Sequence, residues 1–293
     1  MPENVQICPL CGSNRSTFFD RREFRGKNVT NRICRDCGLV YQSPCMTEAE
    51  SAAFYADEYR LLYEGSADPT SRNLMDQRGR AESLYAFARP IVGSIARHLD
   101  IGCSLGLLLQ RFQEAYHCQV FGIEPGEAHR VHARKEGLRV YAALDELQAH
   151  EKGRFDLVSM SHVLEHLPDP VGYLVHLRGS FLTPDGWLLL EVPNLYAHDS
   201  FEIAHLVSYS SHTLKQTLEK AGYGLVKLEK HGRPRSKLLP LYLTVLARPL
   251  PGAPRTCNLL PEKRVAFKRR VGMLRRRLLE RLFPKQAWIS SYK

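Results

Sequence analysis

The sequence HLDIGCSLG at residues 98–106, followed by FGIEP at residues 121–125, decides the fold. It predicts a strand, a glycine-containing turn, a helix and a second strand that ends in an acidic residue. Glycines in such a turn let the backbone approach a ligand closely, and an acid after the second strand can bind both hydroxyls of a ribose. The stretch therefore predicts a nucleotide-type cofactor site, the alternative being an ordinary turn between a strand and a helix.

The charge and spacing of this turn distinguish between cofactors. A nicotinamide dinucleotide site has the spacing G-x-G-x-x-G, whereas Gly102 and Gly106 are four residues apart with Ser104 between them. Asp100 precedes the turn, and its carboxylate would repel a pyrophosphate but attract the ammonium and sulfonium groups of S-adenosylmethionine. The turn resembles the D-x-G-x-G-x-G turn of class I methyltransferases, with Glu124 at the position that binds the ribose and Ser104 as a departure from the pattern.

The segment FDLVSMSHVLEHLPDP at residues 155–170 carries the same resemblance further. In open α/β sheets, catalytic groups lie at the carboxyl ends of strands, which is where this segment is placed. It resembles the fourth-strand segment of class I methyltransferases, in which the position of His162 borders the cofactor. His166 is a catalytic candidate, and a hydrogen-bonded polar residue without a catalytic role is the alternative. Glu165 is equally explained as a carboxylate at the start of a helix. The cofactor residues that the resemblance implies are Asp100, Gly102, Cys103, Ser104, Gly106, Glu124, Pro125 and His162.

The acceptor side is predicted from the sequence HLVSYSSHTL at residues 205–214. This region resembles the part of zinc-containing sugar C-methyltransferases that carries Tyr-His-Glu-His, and His205 corresponds to the last histidine. Ala204 stands where that family has glutamate, which leaves a hydroxyl or amine acceptor open. We expect His205 to be the general base, because an imidazole titrates near neutrality. Tyr209 would either orient the substrate or pack in the core.

Four of the eight cysteines form two C-x-x-C pairs, each followed by a glycine. Two intervening residues let the chain aim both sulfurs at one tetrahedral metal, and Gly12 and Gly38 can take the backbone angles that a metal knuckle needs. With 22 residues between the pairs, the pattern predicts a zinc ribbon; two disulfides are the alternative, which an oxidising compartment would favour. The predicted zinc ligands are Cys8, Cys11, Cys34 and Cys37.

An aromatic stripe follows the predicted ribbon. A capping box at Thr47 and Glu50 opens a helix in which apolar residues recur at helical spacing. Such a stripe usually packs in a core, but it could also form a lid in which Tyr55 or Tyr59 covers the cofactor. The stripe comprises Phe54, Tyr55, Tyr59, Leu62 and Tyr63.

The net charge of +10 comes from the C-terminal tail. Residues 253–293 contain 12 basic and two acidic residues, which leaves 29 of each sign in the remainder. The tail predicts a basic amphipathic helix that docks on the body with a solvated basic face, adsorbs to an anionic membrane or lipid-linked substrate, or binds RNA. Its apolar residues are Phe267, Val271, Leu274, Leu278 and Leu282.

These patterns predict an α/β protein in four parts. We expect a zinc ribbon over 1–44, a helical linker or lid over 45–97, a methyltransferase domain over 98–250 and the basic tail over 251–293. The resemblance implies a Rossmann-like seven-stranded sheet in the third part. The chain has neither a run of 18 apolar residues nor a signal segment, so we expect a cytoplasmic location with possible peripheral membrane contact.

The function that we expect is methyl transfer from S-adenosylmethionine to a small molecule or to a nucleotide- or lipid-linked sugar. One alternative is an RNA methyltransferase that uses the ribbon for recognition, although a phosphate-tracking surface should be basic beside the active site and the body here is neutral. The second alternative is a non-catalytic zinc adaptor with a degenerate methyltransferase fold.

Overall fold

The computed structural model describes residues 3–47, 50, 53–54, 58, 62–63, 65–66, 68–199, 201–252 and 259–289. The strands are β1 (Ser16–Phe24), β2 (Lys27–Cys34), β3 (Val40–Gln42), β4 (Arg97–Ile101), β5 (Gln119–Ile123), β6 (Arg139–Tyr141), β7 (Phe155–Ser161), β8 (Leu182–Pro193), β9 (Val207–Ser208), β10 (Tyr223–His231) and β11 (Tyr242–Pro249). The helices are α1 (Ser71–Ala88), α2 (Leu107–Tyr116), α3 (Glu127–Lys135), α4 (Leu144–His150), α5 (Pro170–His176), α6 (Ser211–Lys220), α7 (Val265–Leu282) and α8 (Pro284–Ala287). A 3₁₀ turn over Leu164–His166 precedes α5, and a π-helical turn over Leu177–Phe181 follows it.

The larger sheet has seven strands in the order β10-β11-β8-β7-β4-β5-β6. Strands β8, β7, β4, β5 and β6 pair in parallel, whereas β11 is antiparallel to both of its neighbours. The chain order reverses between β4 and β7, which places the carboxyl ends of those strands at a topological switch point where open α/β sheets bind ligands. The predicted seven-stranded α/β sheet is confirmed.

Helices cover both faces of this sheet because its central strands bury side chains on both sides. Val120 packs in a cluster with α1 and α2, whereas the next residue, Phe121, packs in a second cluster on the opposite face. Leu188 and Leu189 of β8 are divided between the two clusters in the same way. The core therefore lies on both faces of the sheet.

Two helices are shorter than their apolar patterns predict. The pattern from 73 to 96 favours one long helix, but α1 ends at Ala88, because Pro90 has no backbone N–H with which to continue the helical hydrogen bonds. The helix predicted over 170–181 is α-helical only to His176 and continues as the π-helical turn. Neither difference moves the strand ends that define the site.

The four-stranded sheet has the order β1-β2-β3-β9, antiparallel throughout. Its first three strands come from the predicted ribbon, but its fourth comes from the segment after β8. Val40 and Tyr41 pair with Ser208 and Val207. Leu10 of the ribbon is fully buried in the same cluster as Phe121, so the ribbon shares the core of the main sheet.

The tail helix α7 docks on the body, but not through its apolar face. Its buried residues are Val265 and Arg269, whereas the predicted apolar stripe faces outward. The helix docks as expected and most of its basic residues are exposed, but the apolar stripe does not face the body. Arg269 turns inward because backbone carbonyl groups of Leu195 and His198 accept its hydrogen bonds. Within the described ranges, no helix has the length and hydropathy needed to cross a membrane.

Candidate functional site

The turn between β4 and α2 adopts backbone angles that require glycine at both ends. Gly102 has φ 74° and Gly106 has φ 81°. A Cβ at Gly102 would lie 2.5 Å from Val163, and one at Gly106 would lie 2.2 Å from Leu138. Both glycines are therefore needed for backbone conformation and for close packing, as the sequence predicts.

Ser104, at the centre of the turn, also has a positive φ, 50°. This left-handed conformation costs a non-glycine residue about 1–2 kcal/mol, which explains why the family pattern has glycine here. The hydroxyl accepts a hydrogen bond from Nε2 of Gln77 at 2.7 Å and lies 2.8 Å from Nδ1 of His129. These contacts offset the backbone strain, so serine preserves the turn rather than disrupting it.

Glu124, at the end of β5, faces this turn and is only 4% exposed. One carboxylate oxygen accepts the backbone N–H of Ser104 at 2.9 Å, and the other accepts that of Gly126 at 2.8 Å. Arg130 donates to the carbonyl oxygens of Glu124 and Pro125. The carboxylate thus has a fixed orientation toward the turn.

Asp100 is buried at the end of β4, 4% exposed. Its carboxylate accepts a hydrogen bond of 2.6 Å from the hydroxyl of Ser159 in the neighbouring strand. Burial raises the pKa of Asp100 to about 7, because the hydrogen bond from Ser159 only partly opposes the desolvation and the charge of Glu124 adds to it. Cys103 is also buried, and its sulfur packs where a Cβ of Gly122 would lie.

His162 follows β7 with a positive φ of 55°, and its ring lies between two buried glutamates. Nδ1 is 3.2 Å from Glu165, and Nε2 is 3.4 Å from Glu191 in β8. Burial alone would raise the pKa of Glu191, but His162, His231 and the guanidinium of Arg80 hold it well below its usual range. The ring of His162 is therefore oriented by anions on both sides.

A second cluster at the carboxyl edge contains Glu165, His166 and His205, all buried. Ligand atoms of all three lie within 4.8 Å of one another, and the rings of the two histidines are 4.9 Å apart. Nδ1 of His166 is 2.8 Å from the carbonyl oxygen of Ala204. Because a carbonyl oxygen only accepts, Nδ1 donates this hydrogen bond, and Nε2 of the neutral ring carries the lone pair. The structure thus brings together the two histidines that the sequence predicts as catalytic candidates.

The electrostatics of this cluster favour an ionised carboxylate beside neutral imidazole. Burial lowers the pKa of His166 to about 4, although the charge of Glu165 opposes this. Burial would raise the pKa of Glu165, but its contact with His162 and the charges of His166, His162 and His205 lower it to about 2. Glu202 also approaches His205, with Oε2 4.0 Å from Nε2. Such a cluster can accept a proton at one histidine and stabilise the resulting cation.

Two other groups of predicted site residues have different outcomes. Tyr209 is fully buried in the main core, which favours the packing interpretation over substrate orientation. Burial raises its pKa well above the usual value. Tyr55 and Tyr59 lie outside the described residues, but the predicted capping box is present, since Thr47 and Glu50 exchange hydrogen bonds.

The four predicted zinc ligands form one cluster. Their sulfurs lie within 4.8 Å of one another, with Sγ–Sγ distances of 3.6 Å for Cys8 and Cys37 and 3.4 Å for Cys11 and Cys34. These distances exclude disulfides and approach the roughly 3.8 Å edge of a tetrahedron with Zn–S bonds of about 2.3 Å. Gly12 and Gly38 have φ of 78° and 83°, as predicted for metal knuckles. The donor set fits a structural zinc ion.

Sequence reasoning missed three residues that complete the site. Gln77 of α1 contacts the cofactor turn, and its Oε1 accepts the backbone N–H of Leu105 at 3.2 Å. Glu191 orients His162 from the neighbouring strand, and Arg80 lies 3.7 Å from Glu191. A buried glutamate near the end of an apolar strand was the only local signal for Glu191, whereas Gln77 and Arg80 occupy unremarkable helix positions.

Comparisons with known proteins agree with this geometry. A family model described as a methyltransferase domain matches residues 72–228. The ubiquinone biosynthesis O-methyltransferase of Bordetella pertussis is 34% identical over 105 residues, which make up 33% of this chain and 43% of that protein. The chain therefore spans less than half the length of this curated relative.

Two solved structures share the fold. The 1,6-didemethyltoxoflavin-N1-methyltransferase of Burkholderia thailandensis, solved with bound 1,6-didemethyltoxoflavin and S-adenosylhomocysteine, has a TM-score of 0.57 and 19% identity, covering 79% of this chain and 99% of that one. The [4+2]-cyclase SpnF has a TM-score of 0.54 and 16% identity, covering 71% of this chain and 99% of that one. Since one neighbour is described as a cyclase, the fold does not determine the chemistry.

Proposed function

Because the chain belongs to the methyltransferase domain family, we propose that it is an S-adenosylmethionine-dependent O-methyltransferase acting on a hydroxyl group of a small molecule, including a nucleotide- or lipid-linked sugar. When bound, S-adenosylmethionine supplies an electrophilic methyl group on a positively charged sulfur. The observation that carries the proposal is the buried cluster of Glu165, His166 and His205 at the carboxyl edge of the sheet. The name of the curated relative supports oxygen as the acceptor atom.

The turn and the end of β5 would hold the cofactor. Glu124 would accept hydrogen bonds from the ribose hydroxyls, because its carboxylate is already oriented by two backbone donors. Asp100 and the turn from Gly102 to Gly106 would hold the methionine part. Binding of a cation beside Asp100 favours its ionised form, which opposes the effect of burial on its pKa.

His205 would remove the proton of the acceptor hydroxyl. His205 is 9% exposed, and the ionised carboxylate of Glu165 lies close enough to stabilise the imidazolium that forms. His166 would act as a positioning residue, since its ring contacts the carbonyl oxygen of Ala204, the residue next to His205. Proton removal by a positioned base typically accelerates such a step by about 10²–10⁴-fold.

The ribbon would bind a structural zinc ion and thereby position residues 205–214, which we call the acceptor loop. Leu206 and Val207 directly follow His205 and lie against β3: the N–H of Gln42 donates to the carbonyl of Leu206 at 2.8 Å, and Val207 stands opposite Tyr41. The Cys cluster holds the end of β2 beside β3. Zinc would thus act on the reaction through loop geometry and not through contact with the reacting atoms.

The test is to incubate the full chain with S-adenosylmethionine labelled in its methyl group and fractionated extract. We expect label in a small-molecule fraction, in a form that hot hydriodic acid releases as methyl iodide, because that reagent cleaves methyl ethers but not C-methyl groups. Label in RNA would support the RNA methyltransferase alternative. Tight cofactor binding without transfer to any fraction would support the adaptor.

A further inference from the structure

The outward face of α7 carries a continuous apolar stripe. Its five residues recur at helical spacing along one side of the helix, and each is between 48% and 67% exposed. Over these 16 residues the stripe is about 22 Å long at 1.5 Å per residue. Single exposed apolar residues are common, but a contiguous row of them marks an interaction surface. The outward stripe consists of Phe267, Val271, Leu274, Leu278 and Leu282.

The inward face of α7 explains why the stripe faces outward. Arg269 is buried, bonds to two backbone carbonyl oxygens and lies 3.9 Å from the ring centroid of Phe201. Arg276 donates to the carbonyl of Ala197 at 3.1 Å. A Cβ at Gly272 would lie 1.9 Å from the carbonyl oxygen of Tyr196, so glycine permits this close approach. Rotating the helix to bury the stripe would break all of these contacts.

Cations border the stripe on both sides. At 100° per residue, Arg270, Arg277 and Arg281 lie along one edge, and Arg275 lies along the other. All four are exposed. The one acidic residue within α7, Glu280, is bound to Arg276 at 2.8 Å and therefore adds no repulsion on the outward face.

We propose that α7 docks this protein on an anionic lipid bilayer, lying parallel to its surface. A bilayer interface offers acyl chains to the stripe and phosphate groups to the arginines on both of its edges, which is the arrangement that interfacial helices bind. A second copy of the chain would bring two sets of four guanidinium groups together. RNA would neutralise the arginines but leave the stripe in water.

The experiment is flotation of the purified full chain with phosphatidylcholine vesicles that contain, or lack, about one-third phosphatidylglycerol. The wild-type protein is expected to float with the anionic vesicles and not with the neutral ones. The variant Leu274→Gln/Leu278→Gln should partition at least tenfold more weakly, whereas Val226→Gln, at an exposed valine of β10, should have no effect. No cofactor or acceptor is needed, so the outcome is independent of the proposed reaction.

A charge variant separates the electrostatic contribution to vesicle binding from the apolar contribution. Arg270→Gln/Arg277→Gln/Arg281→Gln should weaken partitioning by about fivefold per arginine, or roughly 100-fold, at low salt. Equal flotation with neutral vesicles, or full flotation of the leucine variant, would overturn the proposal. So would a wild-type dimer in sedimentation that the leucine variant dissociates, or binding of labelled RNA with no binding to anionic vesicles.

Discussion

Replacing Glu124 by glutamine tests the cofactor site without changing the size of the side chain. In the wild-type protein each carboxylate oxygen accepts one backbone N–H, from Ser104 at 2.9 Å and from Gly126 at 2.8 Å. A glutamine keeps one acceptor oxygen and directs an NH₂ group at the other donor. Because the site is 4% exposed, water cannot readily replace the lost acceptor.

The magnitude follows from two separate losses. One buried backbone N–H loses its partner, which should lower the free energy of unfolding by about 1–3 kcal/mol without any ligand. If the carboxylate also binds the ribose, at least one charge-assisted hydrogen bond of about 1.5–3 kcal/mol is lost in the complex. The Kd of S-adenosylhomocysteine should then rise by about 10- to 150-fold.

The assay combines isothermal titration calorimetry with urea unfolding of the ligand-free protein. Glu127→Gln is the matched control, because Glu127 is an exposed glutamate in the first turn of α3 and should leave both measurements unchanged. A destabilised Glu124→Gln protein with wild-type affinity would refute the ribose assignment, since the carboxylate would then only support the turn.

Three further predictions address the metal, the buried aspartate and the base. Metal analysis of the purified protein should give about one zinc per chain. The Cys34→Ser variant should contain no zinc, whereas Cys45→Ser, a change outside the cluster, should retain it. Zinc in the Cys34→Ser variant would contradict a zinc ribbon. Burial raises the pKa of Asp100 to about 7, and a bound cation favours the ionised form, so cofactor affinity should fall by about tenfold from pH 8 to pH 6. A similar fall in the Asp100→Asn variant would show that another group causes the pH dependence. With an acceptor fraction in hand, His205→Gln should lower kcat by at least about 100-fold and leave cofactor affinity unchanged. His150→Gln, at an exposed histidine, should leave kcat unchanged. Full activity of the His205→Gln variant would exclude His205 as the base.

The parts of the fold that sequence predicts are those with local signals. The strand at 98–101, the glycine turn and the acid at 124 each follow from neighbouring residues, and the structure has them in that arrangement. The C-x-x-C pairs are equally local, because two residues of spacing already bring two sulfurs toward one centre.

Contacts between distant segments leave no such signal. Gln77 braces the cofactor turn from α1, but nothing near position 77 distinguishes it from other polar helix residues. The tail pattern predicts a helix with unlike faces, which is correct, yet the face that docks is chosen by carbonyl groups of Leu195, Ala197 and His198 in another part of the chain. An amphipathic pattern specifies faces, not partners.

The pairing of β3 with β9 also constrains how the protein is made. Tyr41 of β3 pairs with Val207 of β9, which is synthesised 166 residues later. Such non-local contacts form slowly, because closing a long loop costs entropy before the contacts can stabilise the structure. During synthesis the four cysteines of the cluster emerge before β9, but β3 stays an open edge until residues 207–208 emerge. The last step of ribbon assembly and the placement of His205 are then the same event.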